Sequence, residues 1–436
     1  MSTGRKKKRR SPGEGGCWSY KTKAGERWRA RGPVVMPDGA PRMVAKRGFL
    51  TKTAGMDWLG DQQSAGRKGE YVEPSKQRFG DYAAEVIEGL RIGPQTRASY
   101  KKNLRLHIET YPIASIPLAQ LTGSRLTTHY RHLEKSGRKD HRAGEGLSAR
   151  TVRYIHTIIH GVLAQAVKDG LLLRNPADAA TPPTAREAKP PEMTCWSAGQ
   201  LASFLAWSAE HSQHHTLWSV LAMTGMRRGE SLALRWRDVD LDAGTFRVRR
   251  SAGMVRIAGE SADVVEGDTK SGKPRVVDLD DATVSLLRAW RKQRGSMALQ
   301  LVRDDALVFG DVEGQHRNPE HTSRQFVAEL ARFRRGLGKD DDSAGAATLT
   351  PGGGPAGSPT AAKATRDVPP VIRLHDLRHT HATILLTARE PVHVVSQRLG
   401  HASPVVTMTV YAHVLPGSQR EAADRFAQLV EEARGA

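Results

Sequence analysis

The sequence predicts a multidomain protein with a small α+β domain first, an all-α bundle next and a mixed, mainly α domain with a small antiparallel sheet last. A length of 436 residues provides for roughly two to four domains. Two stretches rich in glycine, charge or proline, residues 60–74 and 182–191, mark joints between domains. Apolar residues recur at strand spacing before the first joint and mainly at helical spacing after it.

The first domain is predicted over residues 17–65 and contains three strands followed by a helix. Its strand-like segments are basic and aromatic, and they cover residues 17–20, 27–31 and 42–47. Before it, we expect residues 1–16 to form a basic, disordered tail. Six of its first ten residues are Lys or Arg, and no apolar run follows, so it is not a signal peptide. An arm that binds phosphates and a merely solubilising tail are both open interpretations.

The second domain is predicted as a bundle of four to five helices over residues 76–182. Apolar side chains recur there at helical spacing, for example at Tyr82, Val86, Leu104 and Ile108. The third domain, residues 192–436, begins with helices and continues with strands predicted at 245–248, 254–257 and 275–279.

Two parts of the third domain have a distinctive composition. Residues 336–370 are rich in Gly, Ala, Pro and Thr and cannot bury a core, which predicts a disordered insertion. Residues 416–436 predict an amphipathic helix with Ala422, Phe426 and Leu429 on one face. That face can dock within its own chain or on a neighbouring protomer.

Composition points to a polyanionic partner. The net charge is +21 and the pI is about 10.2, a balance typical of proteins that meet nucleic acid. Charge alone also allows a ribosomal, chromatin-like or membrane-surface role. The two cysteines, Cys17 and Cys195, form neither a disulfide framework nor a metal cluster and fit a reducing cytoplasm. No apolar run approaches the ~20 residues of a membrane helix.

The chemistry is carried by four separated motifs. They are Thr-Gly-Met-Arg-Arg-Gly-Glu at 224–230, Leu-His-Asp-Leu-Arg-His-Thr at 374–380, Leu-Gly-His at 399–401 and a lone tyrosine at 411. Tyr411 is the only tyrosine in the last 250 residues. A phosphodiester needs fixed cations around its non-bridging oxygens during attack, and guanidinium forks suit them. The set therefore predicts attack by a tyrosine hydroxyl on a DNA phosphodiester.

Each residue can be given a role in that attack. Arg227 and Arg378 stabilise the phosphate charge, His375 lies on the same helical face as Arg378, and His401 donates a further hydrogen bond. Tyr411 is the nucleophile and forms a phosphotyrosine intermediate, which conserves the bond energy for rejoining.

The departing sugar hydroxyl needs a proton. Lys270, in the turn Thr-Lys-Ser-Gly-Lys-Pro-Arg at 269–275, is the candidate acid. Lys273 flanks the same turn and remains an alternative.

These motifs, in this order, resemble the tyrosine recombinase (phage integrase) family, and the resemblance spans most of the last 240 residues. It implies arm-site DNA binding by residues 17–65, core-site DNA binding by residues 76–182 and catalysis by the third domain. It favours Lys270 over Lys273 as the hairpin lysine. It also implies that Glu230 supports Arg227. One departure is the ten-residue step from His401 to Tyr411, where many relatives have nine.

The resemblance implies a site-specific recombinase of a phage or integrative element. Four protomers would assemble on two double-stranded DNA sites and exchange strands through a Holliday junction, with an excisionase or DNA-bending protein as a possible accessory. No metal, nucleotide or other cofactor is implied. The alternatives are a type IB topoisomerase-like enzyme and a catalytically silent, site-specific DNA-binding regulator.

Overall fold

The computed structural model describes residues 15–36, 39–72, 76–140, 143–190, 193–255, 263–269, 272, 274–343, 368–412 and 418–434. The chain forms two compact units, Met1–Pro190 and Pro191–Ala436. The division falls in the proline-rich stretch that the sequence predicts as a joint. Of the predicted basic tail, residues 1–14 lie outside the described residues.

The first unit begins with an antiparallel sheet in the order β1-β2-β3, with a helix packed on one face. Its elements are β1 (Gly16–Thr22), β2 (Gly25–Val35), β3 (Pro41–Phe49) and α1 (Lys52–Arg67). Thr51 caps α1 by accepting a hydrogen bond from the Ala54 backbone N–H. Cys17, Ala30 and Leu59 are buried between the sheet and the helix.

The joint was predicted to begin at residue 60, which is too early, because α1 continues to Arg67. The glycines of this region serve helix–sheet contact. A Cβ atom on Gly55 would lie 2.5 Å from Cys17 Sγ, and one on Gly66 would lie 2.7 Å from the Val35 carbonyl oxygen. Glycine therefore allows α1 to approach the strands closely.

A helical bundle follows in the first unit and has a core of its own. Its α-helices are α2 (Phe79–Gly89), α3 (Pro94–Leu104), α4 (Gly123–Ser136) and α5 (Ala149–Lys168). A π-helical turn at Arg105–Glu109 extends α3. α4 begins at Gly123, where Thr122 caps it by accepting a hydrogen bond from the Arg125 backbone N–H.

The second unit is mainly helical. Its helices are α6 (Ala198–His211), α7 (His215–Thr224), α8 (Arg228–Leu232), α9 (Asp281–Met297), α10 (Pro319–Ser343), α11 (Asp376–Thr387), α12 (Val392–Leu399), α13 (Pro404–Tyr411) and α14 (Ser418–Arg434). The large core buries three tryptophans, Trp196, Trp218 and Trp236. A smaller cluster, separate from it, contains Ala382, Leu386, Val395, Leu399 and Tyr411.

Small antiparallel sheets lie between α8 and α9. The strands are β4 (Val239–Asp240), β5 (Thr245–Val248), β6 (Arg250–Val255), β7 (Asp263–Asp268) and β8 (Arg275–Asp278). One sheet has the order β4-β5-β8, and β6 pairs with β7 as a hairpin. The sequence predicted β5, β6 and β8, although β6 begins four residues before its predicted start. It did not predict β4 or β7.

The predicted disordered insertion at 336–370 needs correction at its first residues. α10 continues through Ser343. Phe326, Leu330 and Phe333 are buried in the core, and Leu337 packs against it. Residues 344–367 lie outside the described residues. After them, the Pro369 carbonyl accepts a hydrogen bond from Arg334 Nε, 2.8 Å away, which ties the end of the segment to α10.

The C-terminal helix α14 presents apolar side chains to solvent. Phe426 is 70% exposed and Leu429 is 57% exposed. Among the described residues, therefore, most of these two side chains is not covered by other parts of the chain. No helix among those same residues is long and apolar enough to cross a membrane.

Candidate active site

Arg227 lies in the turn between α7 and α8. Gly225 ends α7 with φ +64°, and a Cβ atom there would meet Leu399 and His381 at under 3 Å. Arg227 stands at the N-cap of α8, one residue before the helix that contains Glu230. The two residues meet: Arg227 donates to Glu230 from its backbone N–H (3.0 Å) and from Nη1 (2.8 Å).

Glu230 also holds a second arginine, Arg275, which the sequence analysis did not select. Arg275 begins β8 and donates to Glu230 Oε1 at 3.1 Å and to Oε2 at 2.6 Å. Its Nε donates to the Arg398 carbonyl at 3.0 Å. The structure thus places Glu230 between two guanidinium groups.

The Glu230 carboxylate is buried and charged. Burial opposes its ionisation, but hydrogen bonds and charge from Arg275 and Arg227 outweigh that effect and lower its pKa to about 2. Since one carboxylate faces two guanidiniums, the cluster keeps a net positive charge and fixed side-chain positions.

Arg378 lies in the first turn of α11 and is only 3% exposed. Its Nη1 donates to the Gly225 carbonyl at 2.7 Å, whereas its buried Nη2 has no partner among the described residues. Burial, with repulsion from Arg227 and Arg275, lowers its pKa to about 9. A buried guanidinium N–H without an acceptor is costly, so this site favours an anionic ligand.

His401 follows Gly400, which ends α12 with φ +69°. Its Nδ1 lies 2.7 Å from Thr407 Oγ1, a hydrogen bond that orients the ring. Burial and repulsion from Arg378 and Arg227 lower the pKa of His401 to about 4. A neutral imidazole with one nitrogen occupied can offer its other nitrogen as a single donor.

Two histidines of α11 and its N-cap lie on the tyrosine side of the site. The rings of His375 and His379 pack edge to face with centroids 5.1 Å apart. Desolvation by neighbouring groups, with repulsion from His379 and Arg378, lowers the pKa of His375 to about 4, although the residue is exposed. Burial likewise lowers the pKa of His379.

Tyr411 is the last residue of α13 and is buried, with 1% of its surface exposed. Its hydroxyl forms a 2.7 Å hydrogen bond with His379 Nδ1. Burial raises the pKa of the phenol and nearby Cys195 adds to this, while the positive charge of Arg378 acts in the opposite direction. The hydroxyl is therefore protonated and within the electrostatic reach of Arg378.

The lysine turn is described only in part. Lys270 and Lys273 both lie outside the described residues. Of the described residues near them, Gly272 adopts φ +65°, and its N–H donates to the Thr269 carbonyl at 2.8 Å. Among the described residues, no group of three or more His, Cys, Asp or Glu side chains is arranged to hold a metal ion.

Comparison with known families agrees with this geometry. The model of the phage integrase family matches residues 197–347 and 357–417, the segments that contain Arg227, Arg378 and Tyr411. The chain belongs to the phage integrase family. Its relatives are named integrases and tyrosine recombinases. Membership of this family identifies the chain as a recombinase enzyme.

Two relatives illustrate the extent of the similarity. The integrase is 26% identical over 342 residues to the ICEBs1 integrase of Bacillus subtilis (strain 168), covering 77% of this chain and 78% of that protein. It is 23% identical over 416 residues to the integrase of Mycobacterium phage D29, covering 92% and 94% of the two chains.

Solved structures share the fold. The Tn1549 transposon integrase in complex with a circular intermediate DNA aligns with a TM-score of 0.58 at 19% identity, covering 80% of this chain and 99% of that one. XerH site-specific recombinase bound to a palindromic difH substrate aligns with a TM-score of 0.50 at 16% identity, covering 82% and 98%.

The structure gathers most of the predicted site residues in one place. The charged cluster contains Arg227, Glu230 and Arg378, and His401 lies beside it. His375 and Tyr411 lie beside His379. Sequence reasoning missed Arg275 and His379. Arg275 carried no signal beyond a charge at a strand end. His379 stood inside a quoted motif, but only the fold brings it to Tyr411.

Proposed function

We propose that this integrase cuts and rejoins double-stranded DNA at specific sites, integrating or excising a mobile element through a 3'-phosphotyrosine intermediate and a Holliday junction. One observation carries the proposal: the Tyr411 hydroxyl lies against His379 and within electrostatic reach of Arg378, whose buried Nη2 has no acceptor among the described residues. Acting on chromosomal DNA would place the protein with the nucleoid in the cytoplasm.

In this proposal, the scissile phosphate binds beside Arg378, whose Nη2 has no partner among the described residues. Arg227 and Arg378 neutralise its non-bridging oxygens, and His401 donates a further hydrogen bond. Glu230 holds Arg227 in place, and His375 adds a further polar side chain to the site. Because these donors are fixed before DNA arrives, they need no reorganisation as charge develops.

Tyr411 is proposed as the nucleophile, and Lys270 as the acid that protonates the leaving 5' oxygen. Attack by a tyrosine leaves the phosphate attached to the enzyme, so the DNA end can rejoin a different strand without an external energy source. Four protomers on two sites would exchange strands in pairs, with an excisionase or a DNA-bending protein as a possible accessory.

DNA contacts outside the catalytic unit are proposed for the first unit. On the sheet face opposite α1, Trp18 and Arg47 pair in register with Arg29, one on each side. Trp18 and Arg47 are exposed. A basic and aromatic row of this kind suits phosphate and groove contact, which supports arm-site binding by residues 17–65. Core-site binding is proposed for the bundle at 76–182.

The nucleophile is tested with a labelled DNA duplex that spans the junction of the mobile element and is nicked beside the crossover. The intact chain should form a covalent adduct that survives denaturing electrophoresis and maps to the peptide containing Tyr411. Tyr411→Phe should bind the same DNA without forming the adduct. Tyr20→Phe, in the N-terminal sheet, is the matched control and should form it. An adduct in Tyr411→Phe would refute the assignment.

A further inference from the structure

The hydroxyl of Tyr411 has one hydrogen-bond partner among the described residues, and it is not one of the residues chosen from the sequence. His379 Nδ1 lies 2.7 Å from the hydroxyl oxygen. The two rings are 5.7 Å apart, centroid to centroid, and inclined by 56°. His375 packs edge-on against His379 and makes no described bond to the phenol.

We infer that His379 is the catalytic base that takes the phenolic proton when Tyr411 attacks phosphorus. The inference rests on the proposed function and adds a residue to it. The Tyr411 phenol is buried, and burial disfavours the charged phenolate. Loss of its proton to bulk water is therefore unfavourable. A base in direct contact lowers this barrier, because the proton moves to it as the bond to phosphorus forms, and His379 is in direct contact.

His379 is suited to accept the proton. Burial, with repulsion from Arg378 and Arg373, lowers its pKa, so the ring is neutral before attack. With the proton on Nε2, the Nδ1 lone pair faces the phenol as acceptor. Asp376 acts in the opposite direction and stabilises the imidazolium that forms.

The charged and titratable groups around the two rings come from several elements. They are Asp376, Arg378, Arg373, His375, His401 and Cys195. Asp376 is itself held by Arg373, whose Nε and Nη2 donate to its two oxygens at 3.0 and 2.8 Å. The negative charge beside His379 therefore has a fixed position.

The step balances. The Tyr411 O–H bond breaks and its proton moves to His379 Nδ1. The Tyr411 Oη–P bond forms, and the P–O5' bond breaks. The 5' oxygen takes a proton from the acid assigned to Lys270. Rejoining runs each transfer in reverse, so His379 returns its proton to the tyrosine and nothing is oxidised or reduced.

The test changes the acidity of the nucleophile. In the full chain, Tyr411 is replaced by 3,5-difluorotyrosine, a more acidic phenol of nearly the same shape. Single-turnover cleavage of the nicked duplex is measured for the intact sequence and for His379→Asn, with either nucleophile. Asn retains an oxygen that can accept the hydrogen bond but cannot take the proton.

With tyrosine at 411, His379→Asn should slow cleavage by about 10²–10⁴-fold, the usual contribution of a general base. With difluorotyrosine, that loss should shrink by about tenfold or more, since an acidic phenol needs less help. His375→Asn is the matched control, and its loss should be the same with either nucleophile.

Three results would overturn the inference. In the first, His379→Asn cleaves at the rate of the intact chain, which would show that His379 contributes nothing to the chemical step. In the second, its loss is equal for both nucleophiles. In the third, only the His375→Asn loss shrinks. DNA binding and thermal unfolding are measured for each variant, and rescue of His379→Ala by added imidazole provides a second readout that needs no Asn variant.

The proposed function and this inference fail differently. If Tyr411→Phe still forms the covalent adduct, the nucleophile is misassigned whatever His379 does. If Tyr411→Phe forms no adduct and His379→Asn shows no dependence on phenol acidity, only the role of His379 is refuted.

Discussion

The two halves of the site are built differently. The arginine half consists of Arg227, Glu230, Arg275 and Arg378. Its arginines are held by a buried carboxylate and by the carbonyls of Gly225, Gly400 and Arg398. Met226 and Leu377, next to two of these arginines in sequence, belong to the large core. This half is therefore fixed by the main body of the unit.

The tyrosine half consists of His379 and Tyr411 and has less support. Tyr411 packs in the small cluster, and one described hydrogen bond holds its hydroxyl. Its helix, α13, exposes Val405 and Met408. The difference suggests a division of work: charge stabilisation is preorganised, whereas presentation of the nucleophile depends on a short helix with few contacts.

The largest expected effect concerns the proposed acid, Lys270, which belongs to neither half of the site. Lys270→Ala should slow cleavage by about 10²–10⁴-fold. A substrate with sulfur in place of the 5'-bridging oxygen should restore most of that rate, because a thiolate leaves without a proton. Single-turnover cleavage of both substrates measures the rescue. If Lys273→Ala is the variant that is rescued, the acid lies three residues further along the turn.

Arg378→Lys tests whether the arginine half acts through shape as well as charge. Lysine cannot donate to the Gly225 carbonyl and to a phosphate with one planar fork. We expect a rate loss of about 10²–10³-fold, as for removal of one transition-state donor, measured by single-turnover cleavage. A methylphosphonate at the scissile position removes one negative charge and should reduce the loss. Full activity of Arg378→Lys would show that charge alone suffices.

Glu230→Gln tests the support of the arginine half through stability. Breaking a buried ion pair on one side commonly costs about 3–5 kcal/mol, and here two arginines lose their partner. Denaturant unfolding of the intact chain and the variant at neutral pH measures the difference.

The pH dependence of that difference has a defined sign. The folded-state pKa of Glu230 is about 2, below its ordinary value of 4.5. Its stabilising contribution is thus complete above pH 4.5 and is lost as pH falls toward 2. The gap between intact chain and variant should narrow over that range. A gap that is constant with pH would mean that the glutamine disturbs packing rather than charge.

The same contrast explains what the sequence could predict. Arg227 and Glu230 lie three residues apart, and the family resemblance implied the pair, although Arg227 lies at the N-cap of α8 rather than within the helix. Arg275 pairs with Glu230 across 45 residues, and His379 pairs with Tyr411 across 32. Such pairs depend on tertiary packing that no local pattern encodes. The glycines of residues 60–74 contributed to the prediction of a joint there. Gly66 instead allows α1 to pack closely against β2.

The smallest expected effect on folding concerns α14, which follows the tyrosine half. Phe426 and Leu429 are exposed one turn apart, so replacing both with Ser should change the free energy of unfolding by no more than about 0.5 kcal/mol. If this face docks on a neighbouring protomer, the double variant should still bind one site but assemble poorly on paired sites, as measured by native electrophoresis. Gln428→Ser, on the same helix between them, is the matched control and should assemble normally. A marked loss of stability in the double variant alone would instead show that the helix packs on its own chain, and the support of the tyrosine half would then be intramolecular.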